Sequence, residues 1–380
     1  MSSGILVKLN TLNYHLLRNI KRIIKFPKNV YNIKKIINKD SFYPDKERKS
    51  KCEMWIDNFF WLLKDGGLNP FYISSGLDVK NWRNQDNYLP YYKFCYLRDK
   101  GNQSLIMTNT GNYNYLAVIR DKYIFTEFLE KALGTRHIVP NLALISDNEV
   151  YILDSKNWVA LETFFLQNNK LVIKESVGEC GDGIYLFERK GNQCYLNNEI
   201  VEIDTALDKF RNGVFVVQNV IEQHALLREF KTLSVNTIRI ITFRGQSGAI
   251  NIFSAFLRIG NTPNTFVDNR AVGGLGVGIN IEEGTLKKYG IPHDSFGGIT
   301  EVHKLSGISF EGFQLPYWKE TIELVKSAHR QFYTMQTIGW DIVITDDGPL
   351  ILEGNDAWEI GGPQDTSGGL KKKWIELENA

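Results

Sequence analysis

Apolar positions along the chain recur at two different periods. Phe125, Phe128, Leu129, Ala132 and Leu133 return at helical spacing, which predicts a helix opening at Asp121 and Lys122. Gly134 is placed to end that helix, and Pro140 to enter the next extended segment. A second helical pattern covers residues 5–26. Ile5, Leu9, Leu12, Leu16, Ile20 and Ile23 fall on one arc, Arg18, Lys21, Arg22 and Lys25 on the other, and Pro27 is expected to stop it. Residues 234–243, SVNTIRIITF, alternate as a strand. Asn236 and Ile238 share one face and Thr237 and Arg239 the other, so a core-facing Ile238 sends Arg239 into a cleft. VFVVQNVIEQH, residues 214–224, reads as an apolar strand running into a polar connection. WDIVI and PLILE, joined by Asp346, Asp347 and Gly348, read as a hairpin.

That hairpin carries the first candidate chemistry. Asp341 opens one strand, and Glu353 and Asn355 close the other two residues apart, pointing the same way. Folding the hairpin brings three oxygen-bearing side chains to one end of a ribbon. Such a set suits a hard cation like Mg²⁺, which takes oxygen ligands, few protein carboxylates and phosphates. A second candidate is LVIKESVGECGDGI, residues 171–184, where Lys174 near the end of an apolar strand precedes Gly178, Gly181 and Gly183. Glycines let backbone N–H groups turn toward an anion, and a lysine supplies a point charge. Neither a Walker A loop nor a Rossmann fingerprint is present.

Composition narrows the classes. The 380 residues suggest two or three domains, and the formal net charge of +2 hides an asymmetry. Residues 1–52 hold thirteen Lys/Arg against three Asp/Glu, leaving the remainder acidic. The basic two-faced helix at residues 5–26 is open to three readings: docking on an anionic membrane, packing on its own domain, or nucleic acid. An acidic body without a basic–aromatic module argues against nucleic acid. Cys52, Cys95, Cys180 and Cys194 form no C-x-x-C pair, which argues against zinc and fits a reducing cytoplasm. No apolar run reaches the length of a membrane span, and charges interrupt any secretory signal. The six histidines lack metal spacing, and His224 is expected to cap or to pack.

Taken in order, a lysine-headed helix, a strand with lysine and glycine loop, an apolar linker strand and a D…E-x-N hairpin resemble the ATP-grasp superfamily. Within it, residues 120–360 are most similar to the sugar-transfer-associated ATP-grasp proteins of bacterial surface-polysaccharide loci. The resemblance implies an α+β fold with two α+β lobes clamping ATP, behind a basic helical N-terminal extension. It implies that Lys122 and Lys174 contact ATP phosphates, that Gly178, Gly181, Asp182 and Gly183 cover them, and that Gln218 to Val220 form the adenine hinge. Glu222 is the candidate ribose-binding acid, and relatives often carry Glu where this chain has Gln218. Asp341, Glu353 and Asn355 would hold Mg²⁺, with Arg239, Lys174 and Arg270 as catalytic residues.

The domains expected are a basic arm at 1–40, a cap at 41–110, a first lobe at 111–224 with its lid at 170–220, and a second lobe at 225–380. The glycine-dense segment 268–284 is expected as a loop lining a ligand site and 356–369 as a loop closing over the second substrate, with 178–183 and 268–278 closing to keep water out. The activity implied is an ADP-forming carboxylate–amine ligase working through an acyl phosphate, on a sugar-linked carboxylate such as a uronate and an amine. The alternatives are a kinase of the same fold or a nucleotide-binding regulator without turnover. The expected location is cytoplasmic, with peripheral membrane contact through residues 5–26.

Overall fold

The computed structural model describes residues 23–102, 116–178, 183–262, 268–293 and 296–380. The two-faced pattern at 5–26 therefore lies largely outside the described residues. Residues 23–37 are helical (α1), and Pro27 does not stop the helix. Phe26, Val30, Ile33 and Ile37 bury one side of α1 in a small core, which holds the turns on either side of the proline.

Helix α2, Lys51–Asp65, starts at a reciprocal capping box between Ser50 and Glu53 and ends at Gly66, whose φ of 81° only glycine adopts freely. Helix α3 is Tyr91–Gly101. Two short helices follow, α4 at Leu116–Arg120 and α5 at Lys122–Leu133. The α5 bounds match the sequence pattern: Asp121 accepts from the Tyr123 and Ile124 amides, and Gly134 ends the helix.

The next segment builds an eight-stranded antiparallel sheet in the order β3-β2-β1-β8-β4-β5-β6-β7. Its strands are β1 Ala143–Ser146, β2 Glu149–Ile152, β3 Asn157–Ala160, β4 Lys170–Glu175, β5 Ile184–Lys190, β6 Gln193–Leu196, β7 Glu199–Val201 and β8 Val214–Gln218. Helices α6, Leu161–Gln167, and α7, Ile203–Asp208, cover its core through Phe164, Phe165, Ala206 and Leu207. Beyond the one-turn α8, Ala225–Arg228, comes a second antiparallel sheet, ordered β12-β11-β10-β9-β13-β14. It comprises β9 Thr237–Arg244, β10 Ile250–Ile259, β11 Leu275–Ile279, β12 Leu286–Pro292, β13 Thr337–Thr345 and β14 Gly348–Asn355. Helices α9, Trp318–Gln331, α10, Gly361–Ser367, and α11, Lys371–Asn379, complete the chain.

The second sheet is buried on both faces. One face, with Ile238, Ile240, Leu257 and Trp340, packs on α5 and α9. The other packs Ile241, Phe243 and Phe253 against Phe94 of α3, Trp358 and Trp374 of α11. Helices α4 and α5, expected in the first lobe, therefore join the core of the second sheet through Ile119, Phe125 and Leu129. Cap residues reach the same sheet, since Tyr72, Ile73 and Leu77 share a core with Ile291.

Two expected loops are corrected. Within 268–284, residues 275–279 are the fully buried strand β11. Its glycines serve close packing: a Cβ on Gly278 would lie 2.5 Å from the Thr366 carbonyl oxygen, and one on Gly276 3.1 Å from Arg270 Cδ. The sequence cue was glycine density, but here it reports the approach of α10. Likewise residues 361–367, read as part of a closing loop, are the largely buried helix α10. No helix among the described residues is long and apolar enough to cross a membrane.

Candidate functional site

The hairpin of β13 and β14 turns at Asp346 and Asp347, as its sequence predicts. Its register pairs Asp341 with Glu353, and Asp341 pairs in turn with Arg239 on β9. Glu353, Asp341 and Arg239 thus form one row across three neighbouring strands. Ile238 and Ile240 fill the opposite face, so Arg239 points as the alternation requires.

Asp341 is only 2% exposed and stands between two guanidinium groups. Arg239 grips it bidentately through Nε and Nη2, and Arg258 Nη1 donates to its Oδ2 at 3.0 Å. Arg258 Nη2 reaches Asp268 Oδ1 at 2.7 Å, and Asp268 also accepts from the Thr237 amide and hydroxyl. Burial pushes the Asp341 carboxyl up, but Arg239 and Arg258 outweigh it and hold the group well below the usual carboxylate range. Glu353 goes the other way: burial and then the Asp341 charge raise it. Glu353 Oε1 accepts from Asn355 Nδ2 at 3.3 Å.

Lys174 faces this row from the first sheet. It is buried, and its ammonium donates to Gln218 Oε1 at 2.8 Å. Burial is the main reason its pKa falls to about 8, with Lys122 also lowering it and Glu353 and Asp341 opposing. Gln218 donates in turn to Asn141 Oδ1 at 3.0 Å and to the Val139 carbonyl at 3.3 Å. A glutamate could not make those two donations, which accounts physically for glutamine here. Lys122 Nζ donates to the Gly178 carbonyl at 2.9 Å, and its amide to the Ser176 carbonyl, so the head of α5 is fastened to the glycine segment. Gly183 has φ 72°, and a Cβ there would sit 2.5 Å from Glu175 Cδ. Gly181 and Asp182 lie outside the described residues.

Val220 and Glu222 border a cleft of about 830 Å³, with Val139, Pro140, Tyr317 and Leu350 among its other walls. None of Lys174, Asp341, Glu353 or Asn355 lines it, so this cleft borders residues 219–222 rather than the carboxylates. Glu222 is exposed and ion-paired with Arg228. His224 caps α8, accepting from the Leu226 amide.

Arg270 packs over Gly276, the register partner of Arg258, but its donors go elsewhere. Its guanidinium donates to Asp365 Oδ2 at 2.7 Å and to the carbonyls of Ile291 and Pro292. Asp365 also accepts from the Ser74 and Ser75 hydroxyls, so Arg270 fastens the cap and α10 together. Arg258 and Asp268 complete this network, and both are identified by the structure: Arg258 bridges Asp341 and Asp268.

The donor set suits Mg²⁺ by type, since Asp341, Glu353 and Asn355 offer oxygens only. Among the described residues no group of three His, Cys, Asp or Glu could hold a metal by itself. Because both oxygens of Asp341 already accept from arginine, Glu353 and Asn355 are the more available ligands.

No curated protein matches the chain. Solved structures similar to it include the ADP complex of an N5-carboxyaminoimidazole ribonucleotide synthetase, at 12% identity and TM-score 0.40, covering 70% of this chain and 53% of that one. D-alanine–D-alanine ligase from Bacillus anthracis gives 12% identity and TM-score 0.38, covering 68% of this chain and 66% of that one. L-amino acid ligase from Bacillus licheniformis gives 13% identity and TM-score 0.38, covering 72% of this chain and 48% of that one. The chain thus spans about half to two thirds of the length of these structures. The profile described as sugar-transfer associated ATP-grasp matches residues 102–377, most of the sequence. With two sheets meeting at a lysine–carboxylate–arginine junction and that match, the chain belongs to the sugar-transfer-associated ATP-grasp family.

Proposed function

We propose that the protein is an ATP-dependent carboxylate–amine ligase acting on a sugar-linked carboxylate, such as a uronate, during surface-polysaccharide synthesis. The observation that carries this reading is the junction itself. Lys174 of the first sheet, with Lys122 at the head of α5 beside it, meets an acid pair and two arginines from the second sheet.

In this reading Lys122 and Lys174 bind the triphosphate, and the hinge at Gln218 to Val220 lies along the adenine. Mg²⁺, when bound beside Glu353 and Asn355, draws negative charge off the phosphates. Arg239 and Arg258, already oriented by Asp341, present guanidinium donors where charge develops as the γ-phosphoryl passes to the substrate carboxylate. An amine then attacks the acyl phosphate, giving an amide, ADP and phosphate. No protein nucleophile is required, because positioning and electrostatics supply the rate.

The test is ADP release from Mg²⁺–ATP with sugar uronates crossed against amines. Hydroxylamine in place of the amine should yield a hydroxamate with ADP. AMP and pyrophosphate as products would sink the acyl-phosphate route.

A further inference from the structure

Helix α2 is apolar on two sides. Met54, Trp61 and Leu62 enter the cap core, as an amphipathic helix requires. Yet Trp55, Ile56, Phe59 and Phe60 form a second stripe at i, i+1, i+4 and i+5. Of these, Phe60 is 64% exposed, Ile56 43% and Trp55 37%. Helix α1 meets this stripe at Phe59. The Phe26 and Phe59 rings are 6.4 Å apart, and Lys51 near the start of α2 donates to Asn38 just past the end of α1. On its outer side α1 leaves Ile23, Ile24 and Tyr31 more than two-thirds exposed. Lys25, Lys28, Lys34 and Lys35, also exposed, are interleaved with them.

Charge selects among the possible occupants of this surface. The first thirty-nine residues contain nine Lys/Arg and no Asp or Glu. A second copy of the same face would set like charges against one another. Residues 1–22 carry Lys8, Arg18, Lys21 and Arg22 without an acid, so they are repelled in the same way. The occupant that answers both properties is apolar and negatively charged. We infer that α1 and the outer stripe of α2 form a docking surface for an anionic lipid bilayer. Phe60, Ile56 and Trp55 enter the headgroup–acyl boundary, and the α1 lysines sit at the charged headgroups. This placement holds the enzyme where a lipid-linked sugar would be presented, but it does not depend on the ligase reading.

The test uses the full chain with vesicles of phosphatidylglycerol and phosphatidylcholine, against phosphatidylcholine alone, by co-sedimentation. Binding is expected only with phosphatidylglycerol, and it should weaken with salt as the attraction is screened. Lys34→Glu and Lys35→Glu should each lower partitioning at least about fivefold. Phe60→Glu, at an exposed site, should lower it comparably without changing the melting temperature. Three results would overturn the inference: no sedimentation with phosphatidylglycerol, lysine variants that weaken binding while Phe60→Glu does not, or concentration-dependent dimerisation in solution that Phe60→Glu abolishes.

Discussion

Replacing Lys174 with methionine separates what the site does for function from what it does for stability. The ammonium is buried, with a pKa of about 8 against 10.5 when free, chiefly because burial disfavours the charged form. A folded-state pKa below the unfolded one means that stability is fully present above pH 10.5 and is lost as pH falls through about 8. At neutral pH the buried charge therefore costs the ATP-free protein about 3 kcal/mol. Methionine fills the same volume without charge but leaves the buried Gln218 Oε1 without its donor, a loss of roughly 1–3 kcal/mol. The Lys174→Met protein should thus be as stable as wild type at pH 7, or up to ~2 kcal/mol more so. It should also lack the wild-type gain of about 3 kcal/mol between pH 8 and 10.5. Urea denaturation at several pH values measures both, and subtracting the two proteins cancels the titrating groups that do not interact with Lys174. The same variant should show no thermal shift with Mg²⁺–ATP. A variant that loses stability at pH 7 and follows the wild-type pH profile would refute this account of Lys174.

Other outcomes follow from single contacts. Glu353→Gln keeps the fold and the size of the side chain but removes the most available metal ligand. ADP release should collapse in that variant at all Mg²⁺ concentrations, and near-normal turnover would dismiss the assignment. Arg270→Ala leaves Asp365, 1% exposed, without its cation, so stability should fall by about 3–5 kcal/mol while ATP affinity is kept. Lost ATP affinity without lost stability would instead return Arg270 to the catalytic set. His329, buried between Thr242 Oγ1 and the Met335 carbonyl, is lowered by burial to about 4. Its contribution of about 3 kcal/mol is therefore present above pH 6.5 and lost as pH falls from 6.5 towards 4. His329→Gln should flatten acid unfolding over that window, measured by urea titration.

Local pattern carried the reading furthest where one element decides the outcome. The α5 caps, the β13–β14 hairpin and the direction of Arg239 all depend on residues within a few positions of each other. The misreadings have a common cause in contacts made at long range. Gly276 and Gly278 look like a loop until α10 is brought over them, and Pro27 looks like a helix end until Phe26, Val30 and Ile33 are seen packed. The engagement of Arg270 by Asp365 and two carbonyls is likewise a long-range contact with no local signal. Asp268 gives no local signal, because it matters only once Arg258 of β10 and Thr237 of β9 reach it.

The fastening of the cap to α10 has a consequence for how the protein is made. Ser75 and Asp365 lie 290 positions apart, and Leu89 and Gln364 lie 275 apart. At about 5–20 residues per second, the cap leaves the ribosome on the order of 15–60 s before its partner exists. During that interval Phe94 and Leu89 have neither Trp358 nor Trp374 to pack against. Until residues 358–374 emerge that apolar face stays open, and α10 and α11 act as its latch. A premature stop just after Asn355 would leave every expected ATP contact encoded, yet the face of the sheet around Phe243 and Phe253 would never be roofed.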